Sequence, residues 1–202
     1  EMIYHRAHLT FTRSNGIAGH TVSWQTRAAP DNLRKVVDHQ ISRNAYKPVG
    51  GKTAGHFAVK LNDTTFLTSR RKSNFNELNE LNELNEVGLV EVTTDAPDTT
   101  MLYDSEWVFA KGGKPSVGGQ SQRIVFRDHP GFDCIAHAYI PIKSGSQVPI
   151  RSQREYECGS HECGKNTSDR LREFVPGLKA VMLDGHGPNI VFRRDTPAET
   201  VI

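Results

Sequence analysis

Short apolar runs broken by turn-forming residues make up most of this chain, and helical periodicity surfaces in only a few places. Leu33, Val36, Val37 and Ile41 recur at the three- and four-residue spacing of one helical face, which predicts a helix from Asp31 to about Asn44, capped by Asp31. After the glycine-rich loop Pro48–Gly55, the runs Phe57–Leu61 and Thr64–Thr68 flank the turn Asn62-Asp63 and predict a hairpin. Further strands are expected at Gly88–Val92, Trp107–Ala110, Cys134–Tyr139, Lys179–Leu183 and Asn189–Phe192. A second helix is expected over about Gly119–Arg127, because His129 precedes Pro130 and a residue before proline is pushed out of the helical region. Cys158–Ser168 reads as a turn-rich loop, and Ser168 to Phe174 as a helix. Strands and helices mix throughout, the pattern of a layered α/β or α+β domain.

Residues 1–30 are polar, with β-leaning patches at His8–Thr12 and Thr21–Trp24, and read as an extension or linker ahead of a domain over 31–202. Residues 76–86 spell Asn-Glu-Leu three times and then Asn-Glu. Leucine at every third position drifts around a 3.6-residue helix, so this low-complexity insert is expected to be an acidic surface helix. At the far end, Thr196 reads as an N-cap, Pro197 as a first helical residue and Glu199 as the capping-box partner. A helix that opens there without a body, and a first residue other than methionine, lead us to expect a chain cut at both ends.

Composition narrows the classes. The 202 residues suffice for one domain with a real core. A net charge of +2 with interspersed signs calls for neither a nucleic-acid nor a membrane partner. Arg70-Arg71-Lys72 is the one tight basic cluster, too short for a nucleic-acid stripe. Three cysteines, Cys134, Cys158 and Cys163, are too few and too odd for a secreted disulfide framework, which favours the cytoplasm.

Two histidines stand just past apolar runs, His137 after Cys134-Ile135-Ala136 and His186 after Met182-Leu183-Asp184-Gly185. A histidine at a strand end points a soft donor into a cleft from a rigid backbone, so two of them from distant segments are able to share an ion. Satisfied histidines in turns explain the same residues. The loop Gly50–His56 offers amides to an anion, Arg70 and Arg71 offer bidentate guanidinium groups, and Ser116 stands before a helix start. Ordinary turns, surface charge and capping remain the alternatives for each. Cys158-Gly159-Ser160-His161-Glu162-Cys163 packs soft ligands but lacks the second cysteine pair of a zinc finger.

Taken in series, these segments resemble the class II aldolase/adducin family of fuculose- and ribulose-phosphate aldolases and epimerases. Gly55-His56-Phe57-Ala58-Val59-Lys60 resembles its Gly-Asn-x-Ser-x-Arg segment, and Thr68-Ser69-Arg70-Arg71 its Thr-Pro-Ser-Gly turn. Pro115-Ser116-Val117-Gly118 falls at its Ser-Ser-Glu motif, Asp133–Tyr139 at its His-x-His strand, and Asp184-Gly185-His186-Gly187 at its Asn-His-Gly turn. The order holds over residues 31–202, and it carries more than any single motif.

The resemblance implies a three-layer α/β/α sandwich with a mainly antiparallel central sheet. It implies a metal-dependent carbon–carbon lyase or epimerase, usually tetrameric, acting on a phosphorylated or carboxylated sugar through an enediolate. His137 and His186 would hold zinc or another divalent ion, while Gly55, His56, Arg70, Arg71 and Ser116 would take the substrate anion. Two departures stand out: Tyr139 occupies the place of a ligand histidine, and Gly118 that of the catalytic glutamate. Val117 also removes a hydroxyl from the phosphate site. The resemblance therefore allows a second outcome, a non-catalytic binding or scaffold domain in the manner of adducin. His161, Gln120 and Glu157 are the candidates to replace the missing groups.

Overall fold

The protein was analysed as a computed structural model, which describes residues 21–22, 24, 27–78, 89–94, 108–109, 114–153, 156 and 159–202. The core of the fold is the hairpin of β4 (His56–Lys60) and β5 (Thr65–Ser69), with Val59 opposite Leu67. Against its two sides lie β6 (Leu89–Thr93) and β8 (Cys134–His137). Next to β8 come β12 (Gly187–Phe192), β11 (Leu178–Leu183) and β10 (Arg172–Val175), and β1 (Thr21–Val22) lies beyond β6, so the sheet runs β1-β6-β5-β4-β8-β12-β11-β10. Short strands β7 (Val108–Phe109) and β9 (Ile150–Arg151) complete it, and β2 (Pro48–Val49) with β3 (Lys52–Thr53) forms a separate ribbon. Among the described pairs all are antiparallel except β9 with β11.

The central strands are apolar at consecutive positions because the sheet is covered on both faces. Phe57, Val59, Cys134, Ala136 and Phe192 join one core with Leu33, Val36 and Val37 of α1 (Asp31–Ser42) and Ala198 of α4 (Ala198–Val201). Ala58, Phe66, Ile135, Val181 and Val191 join the other with Val125 and Phe126 of α2 (Gly119–Asp128). Helix α3 (His161–Ser168) packs on α2. The result is the expected three-layer α/β/α sandwich with a mainly antiparallel sheet. Trp24 packs at a tilt against Phe57 with ring centroids 4.8 Å apart, so this residue ahead of position 31 also enters the core.

Several local expectations need correction. Asp31 is the first residue of α1 and Pro30 stands at the cap, while the neighbouring Asn32 amide donates to the carbonyls of Arg193 and Thr196 at 2.8 Å. The segment read as a turn-rich loop contains α3, and the segment read as a helix contains strand β10. Ser160 is the reason for the first: its Oγ accepts from the Cys163 amide and caps the helix. Gly164 lies inside α3 because a Cβ there would meet Ile124 Cδ1 at 2.7 Å and Ser121 Cα at 3.0 Å, so the close approach of α2 demands glycine. Strand β10 forms because Arg172 and Glu173 pair with Ala180 and Lys179, a long-range choice that overrides local helical preference.

Thr196 does not cap α4. Its hydroxyl donates to the Gly177 carbonyl and accepts from the Arg193 amide, and Pro197 stands at the cap. Helix α2 ends at Asp128 ahead of His129-Pro130, as the proline rule requires. The Asn-Glu-Leu insert opens on a short 3₁₀ turn at Phe75–Glu77 and its first leucine, Leu78, is buried in the core, while residues 79–86 lie outside the described residues, as do the patch His8–Thr12, Glu157 and Cys158. Among the described residues no helix is long and apolar enough to cross a membrane.

Candidate functional site

Register builds the centre of the site. His56 at the start of β4 pairs with His137 at the end of β8, and Asn189 of β12 pairs with His137 from the other side. Directly opposed residues of an antiparallel ladder point to the same face. His56, His137 and Asn189 therefore form one buried row on the face covered by α2, and all three line a cavity of about 220 Å³. The rings of His56 and His137 lie 4.9 Å apart between centroids.

Two glycines let the chain come this close. Gly55 has φ +110°, and a Cβ there would stand 2.6 Å from the His137 carbonyl oxygen. Gly187, with φ +112°, would place a Cβ 2.1 Å from the carbonyl oxygen of Ala138. The turn Asp184–His186 joins β11 to β12, with the His186 amide bonded to the Leu183 carbonyl, and so His186 hangs over the strand end that carries His137. Tyr139 packs against both, its ring centroid 5.4 Å from that of His137 and 6.4 Å from that of His186.

On the other side of the row, β5 runs into Arg70-Arg71-Lys72. Arg70 bridges to Pro115, the Arg71 amide donates to Lys114 and the Ser116 amide donates to Ser69, so the basic segment is sewn to the chain entering α2. Arg70, Arg71, Lys72, Ser116, Val117 and Gly118 line the same cavity. The residues that the resemblance assigns to the ion and the substrate anion, Gly55, His56, Arg70, Arg71, Ser116, His137 and His186, all border one space. The basic side chains and the Ser116 hydroxyl give this part of the cavity donors of the kind that anions take, while the Gly119 amide at the start of α2 donates to the Ser116 carbonyl.

Hydrogen bonds set the histidines. His137 Nδ1 lies 2.9 Å from the Pro188 carbonyl, which accepts only, so Nδ1 carries the proton and Nε2 the lone pair. Burial pushes the His137 imidazole down to about 4, against the partial support of that carbonyl, and His186 adds to the lowering. His56 lies well below the ordinary histidine value, first through burial and then through His137. Both rings are neutral at pH 7. Gln122 holds His56, its amide nitrogen 2.8 Å from Nδ1.

Two of the three candidates to replace the missing groups, Gln120 and His161, do not arrive, and Glu157 lies outside the described residues. Gln120 is spent on Arg123 Nε at 2.9 Å, His161 pairs with the neighbouring Glu162 at 3.2 Å, and neither lines the cavity. Sequence reasoning missed Asn189, Gln122 and Gln153, and it weighed Cys163 only as a soft ligand beside Cys158 and His161. Asn189, Gln153 and Cys163 line the cavity, and Cys163 is buried there against Ser121 and Gln153. Asn189 was in principle legible, as the second residue after His186-Gly187; the others enter only through packing of α2 and α3.

No protein-family model matches the sequence, and no curated protein matches it. Solved structures do match. L-fuculose-1-phosphate aldolase from Thermus thermophilus superposes with a TM-score of 0.55 at 21% identity, over 83% of this chain and 80% of that one. The chain has the class II aldolase fold. A second L-fuculose 1-phosphate aldolase gives a TM-score of 0.53 at 15% identity over 82% of this chain and 77% of that one. YgbL, a proposed aldolase/epimerase/decarboxylase from Escherichia coli, gives 0.53 at 16% identity, over 79% and 75% respectively.

On this class II aldolase fold, a resident ion would need a convergent donor set. Among the described residues no group of three or more His, Cys, Asp or Glu side chains is placed to hold one. His56, His137 and His186 all line the cavity, yet they do not form a three-ligand group, and Tyr139 packs against both His137 and His186. The donors present do not fit a three-histidine zinc site.

Proposed function

We propose that this protein binds a small phosphorylated or carboxylated sugar in the cavity, as an aldolase-fold protein with a reduced metal-ligand set. The observation that carries this reading is the joining, in one cavity of about 220 Å³, of Arg70, Arg71 and Lys72 with the buried row His56–His137–Asn189. Guanidinium groups and the Ser116 hydroxyl hold the anion. Neutral imidazoles and the Asn189 amide take the hydroxyl or carbonyl groups, since these are donors and acceptors without charge. Calorimetric titration with sugar phosphates and sugar acids tests it; a protein that binds none of them, and no inorganic phosphate, has a different ligand.

A second reading is a metal-dependent aldolase or epimerase, with zinc or another divalent ion on His137 and His186. The anchoring of His137 Nδ1 on the Pro188 carbonyl favours it, because that bond is the usual way a ligating imidazole is oriented. Metal analysis of the purified protein decides between the two, with His137→Ala and His186→Ala as controls. A stoichiometric ion lost in both variants supports the second reading. A homo-oligomer, as the resemblance implies, accompanies either one and is checked by light scattering.

A further inference from the structure

We infer that His56 is a specificity-determining residue of the cavity, its imidazole standing where a side chain at position 118 would lie and offering Nε2 to a ligand hydroxyl or carbonyl, with glycine at 118 as the condition. The inference deepens the binding reading and rests on it for the identity of the ligand. Its geometry stands apart from that reading. A Cβ on Gly118 would fall 2.3 Å from His56 Cδ2 and 2.4 Å from Nε2. Gly118 itself has φ −69° and ψ −1°, ordinary right-handed backbone, so nothing in its own conformation calls for glycine. The ring of His56 is what excludes a larger residue.

The pair also explains a departure noted in the sequence. Position 118 lacks a functional side chain, and the volume is occupied from another strand by a different one. Three elements hold the ring there: the register of β4 against β8, which sets it beside His137; Gln122 one turn into α2, bonded to Nδ1; and the missing Cβ beneath it. With the Gln122 amide nitrogen donating to Nδ1, the proton sits on Nε2, and the ring is a hydrogen-bond donor to an oxygen in the cavity. The Gln122 carbonyl oxygen is left buried with no partner among the described residues.

This arrangement divides the ligand. Its anionic group lies towards Arg70 and Arg71, and its hydroxyl or carbonyl carbons lie across β4, β8 and β12, whose spacing of about 4.8 Å per strand suits an open-chain sugar phosphate or sugar acid. A bare anion uses only the basic part. His56 therefore governs preference among anions rather than anion binding itself.

Titration calorimetry with dihydroxyacetone phosphate, glycerol 3-phosphate and inorganic phosphate separates the contributions, on wild type, Gly118→Ala, His56→Ala and the double variant. Wild type is expected to prefer dihydroxyacetone phosphate over inorganic phosphate by roughly tenfold or more, the effect of one or two buried hydrogen bonds. Gly118→Ala should lose that preference while inorganic phosphate binding stays within about twofold, and the double variant should resemble His56→Ala, because the two changes act on one ring. A Gly118→Ala protein that keeps the wild-type preference overturns the inference. If wild type binds none of the probes, the binding reading fails, and histidine ring NMR still decides the pair. Gly118→Ala should shift the His56 nitrogens and break the Gln122 bond; unchanged His56 resonances overturn the inference. Should Gly118→Ala not fold, recovery of folding in His56→Ala/Gly118→Ala supports it, and no recovery counts against it.

Discussion

Gly187 presses on the carbonyl of Ala138 so closely that a Cβ would stand 2.1 Å from its oxygen. This contact clamps the hairpin turn bearing His186 onto the strand end bearing His137 and Tyr139. It is a backbone contact, so no side-chain rotation relieves it, and the φ of +112° adds strain for any other residue. Gly187→Ala should destabilise the fold by more than about 2 kcal/mol, measured by urea unfolding. An unchanged midpoint would mean that the two segments part easily.

Gly164 tests the opposite face of the same argument. Alanine is the better helix former by about 1 kcal/mol in a helix interior. The added methyl meets Ile124 Cδ1 at 2.7 Å and the Ser121 backbone at 3.0 Å, where overpacking costs about 1–3 kcal/mol. Ile124 can yield, but Ser121 Cα cannot without moving α2. Gly164→Ala is therefore expected to lower the thermal midpoint in spite of its helical preference. A raised midpoint would show that α2 and α3 separate without penalty.

Stability should fall with acid through the buried histidines. The folded His137 pKa of about 4 lies below its ordinary 6.5, so the unfolded chain binds the extra proton first. Its contribution is complete above about pH 6.5 and is lost as pH falls towards 4, on the order of 3 kcal/mol in all. His56 is lowered too and acts with the same sign. Urea midpoints recorded from pH 7.5 to about 4 should show this slope, and His137→Gln should flatten it. An equal slope in that variant would assign the effect to other groups.

Anion affinity should depend on the segment after β5. Arg71→Ala is expected to weaken inorganic phosphate and sugar phosphate alike, by roughly tenfold to a hundredfold, as loss of a charge-assisted hydrogen bond would. Raising salt should weaken wild-type binding in the same sense. Calorimetry at two ionic strengths checks both. Selective loss of sugar phosphate alone would place the anion elsewhere in the cavity.

Much of this protein is legible in its residues. The strand cores at Phe57–Val59, Cys134–Ala136 and Val181–Leu183 are short apolar runs, and α1 and α2 follow from periodicity and from the proline after His129. Serial order brought His137, His186, the basic cluster and Ser116 forward as one group, and they do border one cavity. What defeated the reading was any feature set by a distant partner. Helix α3 looked like a loop because Gly164, Asn166 and Thr167 are poor helix formers in isolation. Their roles are a close approach to α2 and hydrogen bonds to Ser152 and Cys163.

The residues by themselves determined a layered fold and its main strands, because burial patterns and turn chemistry are local properties of the chain, while the grouping of His137, His186, the basic cluster and Ser116 came from their serial resemblance to the aldolase family. The tertiary structure alone decided how the site is wired. Strand register set His56 beside His137 and brought Asn189 to the row, and no periodicity in one segment encodes its pairing with another. The same placement turned Gly118 from a missing glutamate into the space that His56 occupies, and among the described residues it left the imidazoles short of a three-ligand group for an ion.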